Sequence, residues 1–175
     1  TMLTTLLRAT ASANDSPETI LLRLNAFLQE HNLESDFVTM VLGIIELDSG
    51  RCAFSNAGHP PLYQLSPDGR FNKFATTHST ALGFFDNIRI TSETLQLSPG
   101  DQIVVFTDGV TESVNKFEEL FGSAGLEKVL SGLKGSHPEG TAHAILSAVR
   151  EFADPQRTRD DTTILVIEFL RPLQS

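Results

Sequence analysis

The sequence is poor in cysteine, in basic residues and in long apolar runs. One of its 175 residues is cysteine, which excludes an internal disulfide and fits a reducing compartment. Lys and Arg number 13 against 22 Asp and Glu, which gives a formal net charge of −9. This balance provides no basic stripe for nucleic acid, whereas a surplus of carboxylates suits divalent cations. We therefore expect no nucleic-acid partner.

Membrane and secretion signals are also missing. No apolar run reaches the roughly 18 to 20 residues that span a bilayer, and no signal-peptide pattern opens the chain. The hydrophobic fraction of 40% is enough for one core. We therefore expect a single cytoplasmic domain over residues 1–175, without membrane insertion. Cys52, in the strand-like segment RCAFSN, is expected in that core rather than as a reactive thiol.

Residues 102–113, QIVVFTDGVTES, carry the clearest signal of a functional site. The run of residues 103–106 is β-branched and aromatic, which predicts a strand buried on both faces. Asp108-Gly109 follows, so a carboxylate lies where a core strand meets a turn, a position suited to a metal ligand or a catalytic group. The alternative is a simple turn, because Asp-Gly is among the commonest turn dipeptides.

A second acidic cluster lies far from the first in the sequence. Asp160-Asp161 comes just before residues 162–169, which form another predicted strand. Two carboxylate sites, each beside a core strand, look like two halves of one metal site with oxygen ligands. The pattern around Asp108 is also similar to the first motif of the haloacid dehalogenase hydrolases. The nucleophile of those enzymes would fall on Phe106, so their chemistry is excluded.

The loop SNAGHPPLY places His59 at the apex of a rigid segment, because a glycine and two prolines constrain its backbone. A histidine held in this way can act as a general acid or a metal ligand. The alternative is a structural histidine bonded to nearby backbone. The other histidines show no ligand spacing and are expected at the surface: His31, His78, His137 and His143.

Helical patterns occupy both ends of the chain and strand patterns the middle. The predicted helices cover residues 1–14, 16–30, 126–133 and 138–153. The predicted strands form hairpins in residues 37–57 and 62–74 and continue through 88–106 as an antiparallel meander. The class is therefore α+β. Because the first helical pattern lacks a capping residue, we expect that an N-terminal part of the domain lies upstream.

These segments resemble the metal-dependent PPM protein serine/threonine phosphatases, in particular the bacterial SpoIIE-like branch. The matching pieces follow the order of that family over essentially the whole chain: FVTMVLGIIELDSG, NAGHPP, Ala81-Leu82-Gly83, FTDGVTES and DDTTILVIEF. The resemblance implies an antiparallel β-sandwich flanked by helices. It also implies that the N-terminal strands of this fold are missing from residues 1–175.

The resemblance further implies a site for two Mn²⁺ or Mg²⁺ ions, with Asp108 and Asp160 as metal ligands. Three further residues are assigned to positions that support these ligands without binding the metal directly: Asp161, Gly109 and His59. An exchange of roles between Asp160 and Asp161 is compatible with the same motif. By similarity, the two cations activate a water that attacks phosphorus in line, so that no phosphoenzyme is needed.

The implied function is hydrolysis of phosphoserine or phosphothreonine on a bacterial regulatory protein. The implied substrate is an anti-anti-sigma protein of the STAS fold, and a sensor or receiver domain is implied upstream. The remaining ligands of the family lie in motifs that residues 1–175 do not contain, so we expect this chain by itself to be inactive. The alternative is a non-catalytic module that binds a partner or dimerises.

Missing first strands would favour association of chains. Strand edges that normally pair would be exposed, and exposed edges recruit another chain. We expect a homodimer or a poorly stable monomer, and an apparent mass in light scattering that rises with concentration. A compact, stable monomer at all concentrations would contradict this expectation.

Overall fold

The computed structural model describes residues 5–8, 11–12, 15–31, 37–74, 80–157 and 160–170. The helices are α1 (Pro17–His31), α2 (Gly122–Ser131) and α3 (Pro138–Phe152), and residues 5–8 are also helical. The strands are β1 (Met40–Ile45), β2 (Arg51–Ala57), β3 (Leu62–Leu65), β4 (Phe71–Phe74), β5 (Ser92–Gln96), β6 (Gln102–Phe106) and β7 (Ile164–Glu168). The described residues fall into two compact units. The first unit comprises the described residues within Thr1–His59 and Thr76–Gln96. The second unit comprises those within Pro60–Ala75 and Leu97–Arg171.

The helix boundaries follow the capping signals in the sequence. The Ser16 hydroxyl accepts a hydrogen bond from the Thr19 backbone N–H at 3.2 Å, so that Ser16 caps α1 as predicted. Pro138 begins α3, which ends before Asp154-Pro155, also as predicted. In α2 the predicted apolar face is buried at Leu126 and Leu130. The Met2 and Leu3 positions of the first helical pattern lie outside the described residues.

The first unit contains a three-stranded antiparallel sheet in the order β1-β2-β5. Gly50, with a φ of 74°, allows the tight turn between β1 and β2, and its N–H donates to the Glu46 carbonyl. The core of this unit packs α1 against its neighbours, through buried residues that include Ile20, Leu21, Leu24, Leu28, Ala57, Leu82 and Ile90. The predicted hairpin of β1 and β2 is confirmed.

Asn25 fixes the loop that follows Leu82 within the same unit. Its side chain is 2% exposed and lies on the core side of α1. The amide nitrogen donates to the Phe85 carbonyl at 3.0 Å, and the amide oxygen accepts from the Gly83 N–H at 2.9 Å. A buried amide with these partners stabilises a loop that has no strand pairing of its own beyond the Val38–Leu82 bridge, among the residues that the structure describes.

The second unit contains a four-stranded antiparallel sheet in the order β4-β3-β6-β7. Strand β6 lies inside this sheet and is buried along almost its whole length, which confirms the prediction for residues 103–106. The core beside it is formed by side chains of the sheet and of α2 and α3: Tyr63, Leu65, Val104, Phe106, Val110, Phe121, Leu126, Leu130, Ile145 and Val149. The hairpin of β3 and β4 is confirmed.

The predicted continuous meander is wrong, because β5 and β6 belong to different sheets. Strand β6 pairs with β3 through Gln102–Leu65 and with β7 through Gln102–Glu168. Both hydrogen-bonding edges of β6 are therefore occupied, and β5 pairs with β2 instead. Strand β5 is also shorter than the predicted span of residues 88–97. Among the described residues, no helix is long and apolar enough to cross a membrane.

Cys52 provides a test of this core. It is 2% exposed in β2, and burial raises the pKa of its thiol from about 9 to about 11. We expect no reaction of the folded chain with dithionitrobenzoate at pH 8 and full reaction in guanidinium. The thiol has a higher pKa in the folded chain than in the unfolded chain, so between these two values only the folded chain keeps it protonated. The stability linked to Cys52 is therefore complete below pH 9 and is lost as the pH rises toward 11.

A Cys52→Ala variant is the matched control for the pH dependence. Its free energy of unfolding should lack the loss between pH 9 and 11 that the thiol contributes. Rapid modification of the folded chain at pH 8, or identical pH profiles for the two proteins, would show that Cys52 does not lie in a closed core.

Candidate metal centre

Asp108 lies in a tight turn directly after β6. The Val110 N–H donates to the Thr107 carbonyl at 3.0 Å, and the Glu112 N–H donates to the Asp108 carbonyl at 2.8 Å. Phe106 and Val110 are buried on either side, whereas the Asp108 side chain is exposed. The Asp108 carboxylate accepts a hydrogen bond from the Gly109 N–H at 3.0 Å. The interpretation of Asp-Gly as a turn is confirmed, and a role of the exposed Asp108 carboxylate as a metal ligand or catalytic group stays a prediction.

Thr107 joins this turn to the second acidic segment. Its backbone N–H donates to the Thr163 carbonyl at 3.0 Å, and its hydroxyl accepts from the Thr163 N–H at 2.9 Å. The same hydroxyl donates to the Asp161 carbonyl at 3.0 Å. We call this set of bonds the Thr107 clamp. It extends the pairing of β6 with β7 and brings residues 107–109 beside residues 160–163.

Gly109 makes the approach of the two segments still closer. A Cβ atom at this position would lie 2.6 Å from the Asp161 carbonyl oxygen. This distance is shorter than the separations that Cβ atoms and backbone atoms adopt in proteins. Glycine is therefore required here by space. The supporting position predicted for Gly109 has this steric basis, although a role toward a metal stays a prediction.

Asp160 is held much as Asp108 is. Its side chain is exposed, and its carboxylate accepts a hydrogen bond from the Asp161 N–H at 2.8 Å. Asp161 is tied through its carbonyl to the Thr107 clamp, which fixes the backbone between Asp160 and β7. The clamp therefore positions both predicted ligands at the same end of the four-stranded sheet.

A cavity of about 200 Å³ opens at this end of the sheet, and we call it the acidic cavity. Its lining residues are Gly109, Glu112, Ser113, Val114, Ala153, Asp154, Arg157 and Asp160. Of the two predicted ligands, Asp160 lines the cavity and Asp108 does not, whereas Glu112, Asp154 and Arg157 were not predicted from the sequence. Glu112 had a signal, because it lies four residues after Asp108 within the DGVTE motif. Asp154 and Arg157 had none, since the fold alone brings the end of α3 to this cavity.

The carboxylates fit a hard divalent cation but do not form a complete site. Oxygen ligands are those that Mg²⁺ and Mn²⁺ prefer, and the donors at this sheet end are carboxylates and backbone carbonyls. Within the described part of the chain, no three His, Cys, Asp or Glu side chains come together in a way that could hold a metal ion. Convergence of Asp108 and Asp160 on a metal therefore stays a prediction.

His59 belongs to the first unit, and its backbone is held by the buried Asn56 side chain. The Asn56 amide donates to the His59 carbonyl at 2.8 Å and accepts from the His59 N–H at 2.8 Å. This explains why the loop is rigid, whereas a supporting role for the imidazole stays a prediction. The surface positions predicted for His31, His137 and His143 are confirmed, and His78 lies outside the described residues.

Comparison with known proteins identifies the family. A family model described as Stage II sporulation protein E (SpoIIE) matches residues 1–170. The chain belongs to the SpoIIE family. It is 31% identical over 102 residues to Protein IcfG of Synechocystis sp., which covers 58% of this chain and 16% of that protein. It is 27% identical over 154 residues to the phosphoserine phosphatase RsbU of Bacillus subtilis, which covers 86% of this chain and 44% of that protein.

A solved member of the SpoIIE family shows the same fold. The phosphatase domain of the cell fate determinant SpoIIE from Bacillus subtilis, presoaked with Mn, matches with a TM-score of 0.70 at 19% identity. The match covers 100% of this chain and 74% of that one. It confirms the predicted fold class, antiparallel sheets with helices as in the PPM phosphatases. The chain spans less than half the length of the curated relatives described above.

Replacement of Gly109 tests the close contact at this site. In Gly109→Ala the new methyl group meets the Asp161 carbonyl, so the two acidic segments must separate. We expect the free energy of unfolding to fall by about 1–3 kcal/mol, the usual cost of overpacking. The backbone amide resonances of residues 160–163 should also shift.

Gly132→Ala is the matched control, because its Cβ would lie no nearer than 3.4 Å to the Val129 carbonyl and its φ is −84°. This variant should keep the wild-type stability within about 0.5 kcal/mol. Equal effects of the two substitutions would contradict the close approach of Gly109 to Asp161.

Proposed function

We propose that this chain is part of a phosphatase domain that hydrolyses phosphoserine or phosphothreonine on a bacterial regulatory protein. The observation that carries the proposal is the Thr107 clamp, which places the carboxylate segments of Asp108 and Asp160 at one sheet end in a member of the SpoIIE family. The relative RsbU bears the name phosphoserine phosphatase, which supports the substrate class.

Asp108 and Asp160 would hold divalent cations in the complete domain, with Asp161 and Gly109 of the same unit in supporting positions. We propose Mn²⁺ or Mg²⁺, because the donors are hard oxygens and the SpoIIE phosphatase domain was studied after presoaking with Mn. When bound, two such ions supply positive charge to the phosphoryl group and make a water more acidic. The remaining ligands would come from upstream segments of the same domain.

The residues of this chain prepare that site in advance. The hydrogen bonds from Gly109 to Asp108 and from Asp161 to Asp160 orient each carboxylate, so little reorganisation is needed on binding. Glu112, Asp154 and Asp160 give the acidic cavity a negative lining, and Arg157 adds a cation to it. A phosphorylated side chain would enter with its negative charge directed at the bound cations.

The proposed substrate is a phosphorylated anti-anti-sigma protein of the STAS fold, and a sensor or receiver domain would lie upstream in a cytoplasmic protein. The similarity to the phosphoserine phosphatase RsbU supports a phosphorylated protein as the substrate. A second candidate is a non-catalytic interaction or dimerisation module. It is favoured by the absence of three convergent metal-binding side chains among the described residues.

Loss of the Asp108 carboxylate tests the proposed metal site. We expect a longer chain that carries upstream Asp motifs to hydrolyse phosphoserine peptides with Mn²⁺, and residues 1–175 alone to show little or no activity. In the longer chain, Asp108→Asn should reduce turnover at least about a hundredfold, because a lost ligand removes transition-state stabilisation worth several kcal/mol. The thermal midpoint should not change, since the Asp108 side chain is exposed.

Asp68→Asn serves as the control for a carboxylate outside the site, because Asp68 pairs with Arg70 on the surface. This variant should retain full activity. Strong activity of residues 1–175, or an unimpaired Asp108→Asn, would show that the metal site lies elsewhere.

A further inference from the structure

An open groove lies next to the acidic cavity in the second unit, and we call it the lateral groove. Its volume is about 610 Å³, and its lining residues are Asn115, Lys116, Phe117, Glu151, Phe152, Ala153, Asp154, Pro155 and Gln156. Ala153 and Asp154 line both the lateral groove and the acidic cavity, which reaches Asp160. The two cavities therefore adjoin at Ala153 and Asp154.

One wall of the groove is a braced loop. The Asn115 side-chain oxygen accepts hydrogen bonds from the N–H groups of Phe117 and Glu119, at 2.9 and 3.0 Å. Val114 and Leu120 pair across the base of this loop. Bonds within the loop thus support the conformation of residues 114–120.

Two further bonds connect the loop to the opposite wall. The Asp154 N–H donates to the Val114 carbonyl at 2.9 Å, and the Arg157 guanidinium donates to the Glu118 carboxylate at 2.7 Å. The loop and the segment after α3 therefore form one surface that keeps its shape. Arg157 and Asp154 also line the acidic cavity, so the same contacts hold the two cavities side by side.

This rigid loop presents an aromatic ring to solvent. Phe117 is 69% exposed, and the Lys116 ammonium lies 4.9 Å from the centre of its ring. Phe152 and Pro155 add apolar surface elsewhere in the groove. An aromatic side chain on a preorganised loop loses little conformational entropy on binding, and such residues dominate the affinity of protein interfaces.

We propose that the lateral groove binds the residues of the phosphorylated substrate protein next to its phosphoserine, with Phe117 as the anchor for an apolar side chain. The inference rests on the proposed function. It commits to this occupant because the groove adjoins the acidic cavity at Ala153 and Asp154. A protein whose phosphate reaches Asp160 places its flanking residues along the shared wall. Phe117 is then a specificity residue that does not touch the reacting atoms.

The test uses fluorescein-labelled phosphoserine peptides that differ only in having leucine or serine at the positions beside the phosphoserine. Their binding to residues 1–175 is measured by fluorescence anisotropy in excess Mn²⁺, because the negative lining of the acidic cavity would otherwise repel the phosphate. We expect the leucine peptides to bind about tenfold more tightly, which corresponds to about 1.4 kcal/mol. Phe117→Ala should abolish this preference. Leu165→Ala should retain it, because Leu165 is 52% exposed on β7 and does not line the groove.

Turnover by the longer chain gives the second measurement. Phe117→Ala should lower kcat/KM for the leucine peptide about tenfold and leave hydrolysis of p-nitrophenyl phosphate unchanged, because that small ester does not reach the groove. An equal loss for both substrates would overturn the proposal, as would a peptide preference that survives Phe117→Ala.

Two other results separate the alternatives. If Phe117→Ala dissociates a dimer of this chain and leaves peptide binding unchanged, the groove is covered by a second copy and the proposal is wrong. If the longer chain hydrolyses neither substrate, the proposed phosphatase function fails. A preference for leucine peptides that depends on Phe117 would in that case still support the groove as a phosphopeptide-binding surface.

Discussion

The hydroxyl of Thr107 is the contact on which the candidate site depends. It donates to the Asp161 carbonyl and accepts from the Thr163 N–H. These partners lie 54 and 56 positions after Thr107 in the sequence, so the hydroxyl joins two distant segments. Both partners are backbone groups at the end of a sheet, where ladder pairing stops and unpaired groups would otherwise rely on water. Gly109 then allows Asp161 to approach without a Cβ between them. The acidic segments are adjacent for this reason.

At the start of β6, a network of buried amides holds the same strand. The Gln64 amide donates to the Asp101 carboxylate at 2.7 Å, and the Gln102 side chain accepts from the Thr141 hydroxyl at 2.8 Å. Gln102 also donates to the Ser136 carbonyl at 2.6 Å. Each of these buried polar side chains has a partner, so the network fixes β6 against β3 and α3 without leaving an unsatisfied group. The strand that leads to Asp108 is therefore held at both ends.

Under the two proposals, the second unit separates two tasks along one surface. The acidic cavity carries the carboxylates of Glu112, Asp154 and Asp160, and the lateral groove carries the exposed ring of Phe117. The connection runs through Asp154, whose backbone binds the loop at Val114 and whose side chain accepts from the Gln156 N–H. A protein substrate can be recognised in this way by residues that take no part in the chemistry.

Local features of this protein were determined by the sequence alone. Ser16 and Pro17 begin α1, residues 103–106 form a buried strand, and Asp108-Gly109 forms a turn, because capping, side-chain period and turn chemistry depend on near neighbours. The two hairpins also follow from local turns. The five matching motifs together were sufficient for the family resemblance, and those around Asp108 and Asp160 for both proposed ligands.

The tertiary structure alone decided which strands pair and what surrounds the ligands. Strand β5 joins β2 because β3 and β7 occupy both edges of β6, and free edges cannot be identified before the whole sheet is known. Asp154 and Arg157 reach the acidic cavity because α3 ends beside the turn after β6. Contacts between residues distant in sequence leave no periodic pattern in the chain, so only packing determines them.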